Sequence, residues 1–298
     1  MWLVREVVSF FIRWAGVALL VRHTIAQRKA SILLYHDPAP QTLERHLRYL
    51  AARYSFITLS ELVDAIGEGR LASLPPRALV VTFDDAHRRN AELTDVLSRY
   101  GVVPTIYACS QIVGTDRHFW FTETDDPDSL KGQMNTDRLA HLERAAAYSI
   151  TREYTAERQA LSDAEIARMM GRVEFASHTR FHPVLTMCGD DECAVEVIRS
   201  KAELEKILGV PCRHFSYPNG DYGPREIKYA KDAGYASART VDIGWNDERT
   251  DLFRLRILGT SDDASVNRLA ADLSGIAGWI ARARRGSFDG RHRGVVPT

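Results

Sequence analysis

The stretch FASHTRFHPV, residues 175–184, places His178 and His182 four positions apart, with Pro183 directly after the second. Imidazole nitrogens suit zinc-like ions, and a catalytic site of that kind adds a carboxylate and keeps one position open for water. The spacing puts both rings on one face if the stretch makes a single helical turn, which Pro183 would end. Asp84 and Asp85 close the run ALVVTFDD. Neighbours in an extended chain point to opposite faces, but at a strand's end one carboxylate can turn to an ion and the other to the water beside it. Either aspartate alone reads as a helix N-cap, because a helical pattern begins at Ala86. The joint occurrence of aspartates and histidines is what points to a metal site. Two more candidates stand after apolar runs: His36 in SILLYHD, and Tyr217, Pro218 and Asn219 in the turn of RHFSYPNG.

These residues all follow short apolar runs, at 31–36, 78–83, 173–178 and 212–218, and similar runs occupy 56–58, 103–108, 235–240 and 253–258. Helical patterns lie between them at 41–53, 60–68, 86–99, 190–208 and 223–233. Alternation of this kind predicts parallel βα units, in a barrel or a doubly wound sheet, where chemistry gathers at the carboxyl ends of the strands. Residues 114–170 break the rhythm and read as an elaborated loop over one end of the sheet. Its Phe119, Trp120, Phe121 and Tyr148 either stack on sugar rings or form the loop's own small core.

The chain has 298 residues, 45% apolar and 26% charged, which suffices for a large core and excludes a disordered or fibrous protein. Cys109, Cys188, Cys193 and Cys212 form no CxxC pair, so a reducing compartment fits best. Net charge is zero, yet residues 1–29 and 280–298 are both basic and the body between them is acidic. The segment from Trp2 to Val21 is apolar at helical spacing, but Arg5, Glu6 and Arg13 interrupt it too often for a membrane span. It reads as an amphipathic helix, packed on its own domain or lying in an anionic membrane interface through residues 2–21. The expected organisation is this helix (1–29), a catalytic domain (30–278) and a basic tail (279–298). The expected location is the cytoplasm, including the inner face of the membrane. The arginines at the chain ends carry no recognised nucleic-acid motif.

In their order, the blocks TFDD (82–85), SHTRFHP (177–183) and FSYPNG (215–220) resemble those of NodB-type polysaccharide deacetylases, and the opening ILLYHD is similar to that of bacterial members. The resemblance implies an α/β fold, a distorted (β/α) barrel of about seven strands, and a metal-dependent hydrolase that removes N-acetyl groups from an N-acetylhexosamine-containing glycan. It implies Asp85, His178 and His182 as ligands of a divalent ion, zinc first, with cobalt, nickel or manganese as alternatives. Asp84 is implied as the general base, and the Tyr217–Pro218–Asn219 turn as the place where a backbone N–H holds the oxyanion. A late LxH histidine found in many members is missing after residue 255, which leaves His36 as the implied acid. Ser216 stands where many relatives carry an arginine, so the arginine that steadies the base is sought at Arg254 or Arg256. The expected substrate is an N-acetylated glycan or a lipid-linked sugar. The alternatives are a non-sugar amide or imide at the same site, or a non-catalytic carbohydrate-binding protein.

Overall fold

The computed structural model describes residues 2–154 and 158–276, with side chains from Glu6 onward; the basic tail at 279–298 lies outside the described residues. Eight strands form: β1 (Ser31–Tyr35), β2 (Ser55–Phe56), β3 (Ala78–Phe83), β4 (Thr105–Ala108), β5 (Glu174–Ser177), β6 (His214–Ser216), β7 (Ser237–Ile243) and β8 (Leu255–Ile257). Seven of them run in the order β1-β3-β4-β5-β6-β7-β8, all parallel, and β2 pairs with the start of β3. Just past β8, Leu258 N–H donates to Ile32 O at 2.8 Å, and the ends of the sheet meet in a nearly closed barrel. Every apolar run read as a strand overlaps one, although β2 starts one residue before its run and β7 continues three residues beyond its own. Around them lie α1 (Trp2–Trp14), α2 (Val17–His23), α3 (Pro40–Ala51), α4 (Leu59–Gly67), α5 (Asn90–Arg99), α6 (Pro127–Leu130), α7 (Asn135–Ala146), α8 (Asp163–Met169), α9 (Asp190–Leu208), α10 (Pro224–Asp232) and α11 (Val266–Leu273).

Strand alternation sorts the core into two. Ile32, Leu34, Ala78, Val80, Tyr107 and Ala176 belong to one cluster, which α4 closes at the base with Leu59, Leu62 and Ile66. Their neighbours Leu33, Tyr35, Leu79, Val81, Phe83 and Phe175 pack outward under the helices. β3 is buried along its whole length, as expected of a parallel strand covered on both faces. A capping box of Thr58 and Glu61 starts α4. Three acidic residues open α9 and Gly209, in the left-handed region, ends it.

The amphipathic N-terminal segment is two helices, because Gly16, with φ 80°, breaks it. No single helix among the described residues is long and apolar enough to cross a membrane; Glu6–Trp14 and Val17–Arg28 reach that length only together, and they bend by 55°. The 114–170 excursion holds α6, α7 and α8, and Trp120, Leu130, Leu142 and Tyr148 form a small core with Val184 and Met187. Of the two uses weighed for its aromatics, burial in the loop's own core holds for Trp120 and Tyr148.

Candidate active site

The alternation that sorts the core also aims the chemistry. Residues 78, 80 and 82 face inward on β3, and Asp84 continues that parity beyond the strand; His178 does so after Ala176 on β5, and Ser216 and Arg239 lie level with each other on β6 and β7. Asp85 then breaks the pattern. It has φ 67° and Ala86 has φ 48°, so the chain turns sharply and α5 starts only at Asn90. Neither aspartate is therefore a helix N-cap. The turn brings both neighbouring carboxylates to the same histidine, His178 Nε2 lying 3.8 Å from Asp84 Oδ2 and 3.7 Å from Asp85 Oδ1.

The histidine pair converges without the helical turn expected of it. Residues 178–184 form a loop in which Thr179 (φ 70°) and His182 (φ 58°) both take left-handed backbone angles. Thr179 Oγ1 accepts from His182 N–H at 3.0 Å, and Glu196, buried on α9, accepts from the N–H groups of Arg180 and Phe181 at 2.9 and 3.0 Å. Trp120 Nε1–H donates to His182 O at 2.8 Å, and Phe121 meets the His182 ring edge-on. The long excursion thus forms one wall of the site.

Asp85, His178 and His182 bring one ligand atom each within 4.8 Å of one another. His178 Nδ1–H donates to Ser216 O at 2.9 Å, which fixes the tautomer and leaves the Nε2 lone pair facing Asp85. His182 Nε2 lies 3.3 Å from Asp85 Oδ1, an oxygen that is buried and accepts no hydrogen bond. Burial alone would raise the Asp85 carboxyl, but His182, His87 and His178 outweigh it and hold it well below the usual range. Burial pushes the His182 imidazole down to about 4 against the pull of Asp85, so it is neutral at neutral pH. The His178 Nε2 lone pair and the Asp85 Oδ1 carboxylate oxygen, 3.7 Å apart, face one another with no proton between them, an arrangement that a cation would relieve. The donor set, two imidazoles and a carboxylate, suits a zinc-like divalent ion.

Arg239 supplies the arginine. It is fully buried, donates to both Asp84 oxygens at 2.6 and 2.5 Å and to Ser216 Oγ at 2.5 Å, and stacks on Tyr107. The expectation of Arg254 or Arg256 is thereby corrected. Arg254 donates to Tyr222 Oη, and the aliphatic part of Arg256 packs beside Gly244. Ser216 is small enough to leave the space that Arg239 enters from its register partner one strand away. An arginine at inward parity within the run YASART was the available signal.

His36 stands at the end of β1 in solvent, on the parity of Ile32 and Leu34 and beside Asp84, whose N–H donates to Tyr35 O at 3.0 Å. The Asp262 carboxylate accepts from the N–H groups of His36 and Asp37 at 3.0 and 2.8 Å. Tyr217 points outward instead, buried against Tyr222 with its hydroxyl on Phe253 O, so its side chain supports the turn from below. Pro218 is buried, and Asn219 takes φ 59°. Gly220, with φ 74°, lies so close to Val241 that an added Cβ would fall 2.1 Å from a methyl group. His87, not singled out from sequence, lies 3.5 Å from Asp85 Oδ2; burial opposes its proton, but Asp85 outweighs burial and raises its pKa. It also lines an open groove of about 510 Å³ beside the site, with Asp37, Arg89, His118, Glu123 and Arg158.

The sequence profile of polysaccharide deacetylases matches residues 72–238, more than half of the chain, and spans all three motif blocks. The chain belongs to the polysaccharide deacetylase family. No curated protein matches it. Among solved structures, this deacetylase is similar to the Streptococcus pyogenes deacetylase PplD in complex with acetate (TM-score 0.61, 19% identity, 82% of this chain and 97% of that one). It is similar to IcaB from Ammonifex degensii (0.59, 20%, 83% and 97%) and to a de-N-acetylase from Aggregatibacter actinomycetemcomitans (0.59, 15%, 82% and 99%). At these identities the likeness speaks for the fold.

Proposed function

We propose that this polysaccharide deacetylase is metal-dependent and removes N-acetyl groups from an N-acetylhexosamine-containing glycan. The observation that carries the reading is the convergence of Asp85, His178 and His182 on one point beside an arginine-held carboxylate. Asp85 and the Nε2 atoms of both histidines would hold the ion, zinc first among the candidates. Such an ion supplies a Lewis acid and a water of lowered pKa. Asp84 takes the proton of the attacking water, and Arg239 keeps its carboxylate oriented while it does so. His36 gives a proton to the departing sugar nitrogen, which is too basic to leave as an anion. The backbone N–H at Asn219 holds the developing oxyanion. The polar pairs of the groove, Arg89 with Asp37 and His118 with Glu123, offer partners for sugar hydroxyls. One of the structural relatives is described as a de-N-acetylase, which agrees with an amide substrate.

The test is mass spectrometry of products from the metal-loaded protein across a panel of N-acetylated glycans and lipid-linked sugars, with simple cyclic imides in parallel. Loss of 42 Da per deacetylated residue and its suppression by a chelator are expected, as the difference between an acetyl group and a hydrogen requires. Turnover of an imide with every N-acetyl sugar untouched would replace this reading by the alternative amide substrate.

A further inference from the structure

The N-terminal helices turn most of their large apolar side chains away from the domain. In an ordinary surface helix the apolar face meets the domain and the polar face meets water. Here α1 buries Ser9 and is held to the domain by polar side chains, while α2 buries Arg22 along with Ala18 and Val21. Glu6 accepts from Ser265 Oγ and Asn267 Nδ2, Arg13 donates to Asn267 Oδ1 at 2.8 Å, and Arg22 donates to Tyr49 Oη at 2.7 Å. Phe10, Phe11, Trp14, Leu19, Leu20 and Ile25 are turned to solvent, with Phe11, Trp14 and Leu20 exposed by 62, 66 and 63%. A contiguous apolar surface of this kind marks an interaction site.

Its edge carries charge. The guanidinium groups of Arg13, Arg22 and Arg53 gather around the single ring of Tyr49, at 5.2, 6.0 and 4.2 Å from its centre. Among the described residues, none of the three has a carboxylate within ion-pair distance. From this juxtaposition we propose that α1 and α2 dock the protein onto an anionic lipid bilayer, the apolar face entering the acyl boundary and the half-buried Arg13 and Arg53 meeting headgroup phosphates, with the buried Arg22 adding its charge from behind Tyr49. The 55° bend at Gly16 fits two short helices lying along a surface. A second copy of this chain is the weaker occupant, because a two-fold contact through this face would bring two uncompensated arginine clusters together.

The surface also lies near the chemistry. Ser265, which holds Glu6, is three residues along the chain from Asp262, whose carboxylate holds His36 and Asp37 at the rim of the site. A docked enzyme therefore meets glycans at a bilayer surface, and this inference stands whether or not the amide chemistry above is right.

The experiment is flotation of the full chain with vesicles of phosphatidylcholine alone and of phosphatidylcholine with phosphatidylglycerol. Binding to the anionic vesicles is expected, weakened as salt rises. Phe11→Ser with Leu20→Ser should weaken it by about tenfold or more through lost apolar burial, with unchanged thermal melting. Arg53→Gln should reduce the preference for anionic lipid, and brominated lipid should quench fluorescence in a Trp14-dependent manner. No binding to either vesicle overturns the proposal, as does equal binding by the Phe11/Leu20 variant. A concentration-dependent dimer that Phe11→Ser disperses would assign the face to a second copy and overturn it as well.

Discussion

Exchanging the residues at 216 and 239 tests whether the arginine is needed at a place in space. Arg239→Ser leaves Asp84 without its cation in a site where the arginine is fully buried and the carboxylate nearly so. Breaking a buried pair by removing one partner costs about 3–5 kcal/mol. At roughly 2–4 °C per kcal/mol for a chain of this size, the melting temperature should fall by roughly 10 °C. Activity at neutral pH should drop by about 10²- to 10⁴-fold, the reach of a positioned general base. Ser216→Arg alone adds a second cation to a packed interior and should destabilise as well. Ser216 and Arg239 face each other in register on parallel strands, about 4.8 Å apart. The double exchange should therefore return a guanidinium to Asp84 from one strand over and recover a large share of both losses. Calorimetry and acetate release on the four proteins complete a double-mutant cycle. Losses in the double variant that equal or exceed the sum of the single ones, in a folded protein, would refute the reasoning.

Asp85→Ala should lose bound metal and activity together, whereas Asp84→Asn should keep the metal and lose turnover; equal metal content in the two purified variants would reverse the division of roles. His36→Ala should keep the metal and slow acetamide hydrolysis by about 10²- to 10⁴-fold, while aryl acetates, whose leaving groups need no proton, suffer less. Parallel losses on amide and ester would make His36 structural. Burial pushes Glu196 up to about 7, above its ordinary value of 4.5, against the pull of the Phe181 and Arg180 N–H groups. Between those two values the unfolded chain binds fewer protons than the folded one, so this stabilisation is complete below pH 4.5 and is lost as pH rises through 7. Glu196→Gln should flatten that slope in urea titrations, and an unchanged slope would place the titration elsewhere.

The barrel was legible because each buried strand is a short apolar run, and burial on both faces leaves few other arrangements for such runs. The cluster of Asp85, His178 and His182 was legible through its family pattern, although the helical turn expected for His178 and His182 is a loop bent by two left-handed residues. Single-residue backbone angles of that kind leave little trace in hydrophobic pattern. Arg239 was missed for a different reason. Its partner Asp84 is 155 positions away, and only the closing of the sheet brings β7 across from the end of β3. Glu196 was hidden in the same way, as a charged residue on a helix whose buried face is visible only once the 180–182 loop has packed on it. The break at Gly16 carried a local signal, a glycine within an apolar helical run, and it divides what had read as one helix.

The cylinder is joined unevenly around its circumference. β1 and β3 pair over five consecutive residues, whereas β1 meets the far end of the sheet through the Leu258 N–H to Ile32 O bond and the Ala30–Asn246 bridge below it. Lines held by so few backbone bonds, this one and the single Ser177–Phe215 pair between β5 and β6, are where the wall breathes first, and amide hydrogens there should exchange ahead of those in β3. His36 stands on the first of these lines at the end of β1, next to Asp84 at the end of β3. Asp262, which follows β8 in the chain and grips the backbone at His36 and Asp37 past the end of β1, is the latch that holds that line shut at the rim of the site.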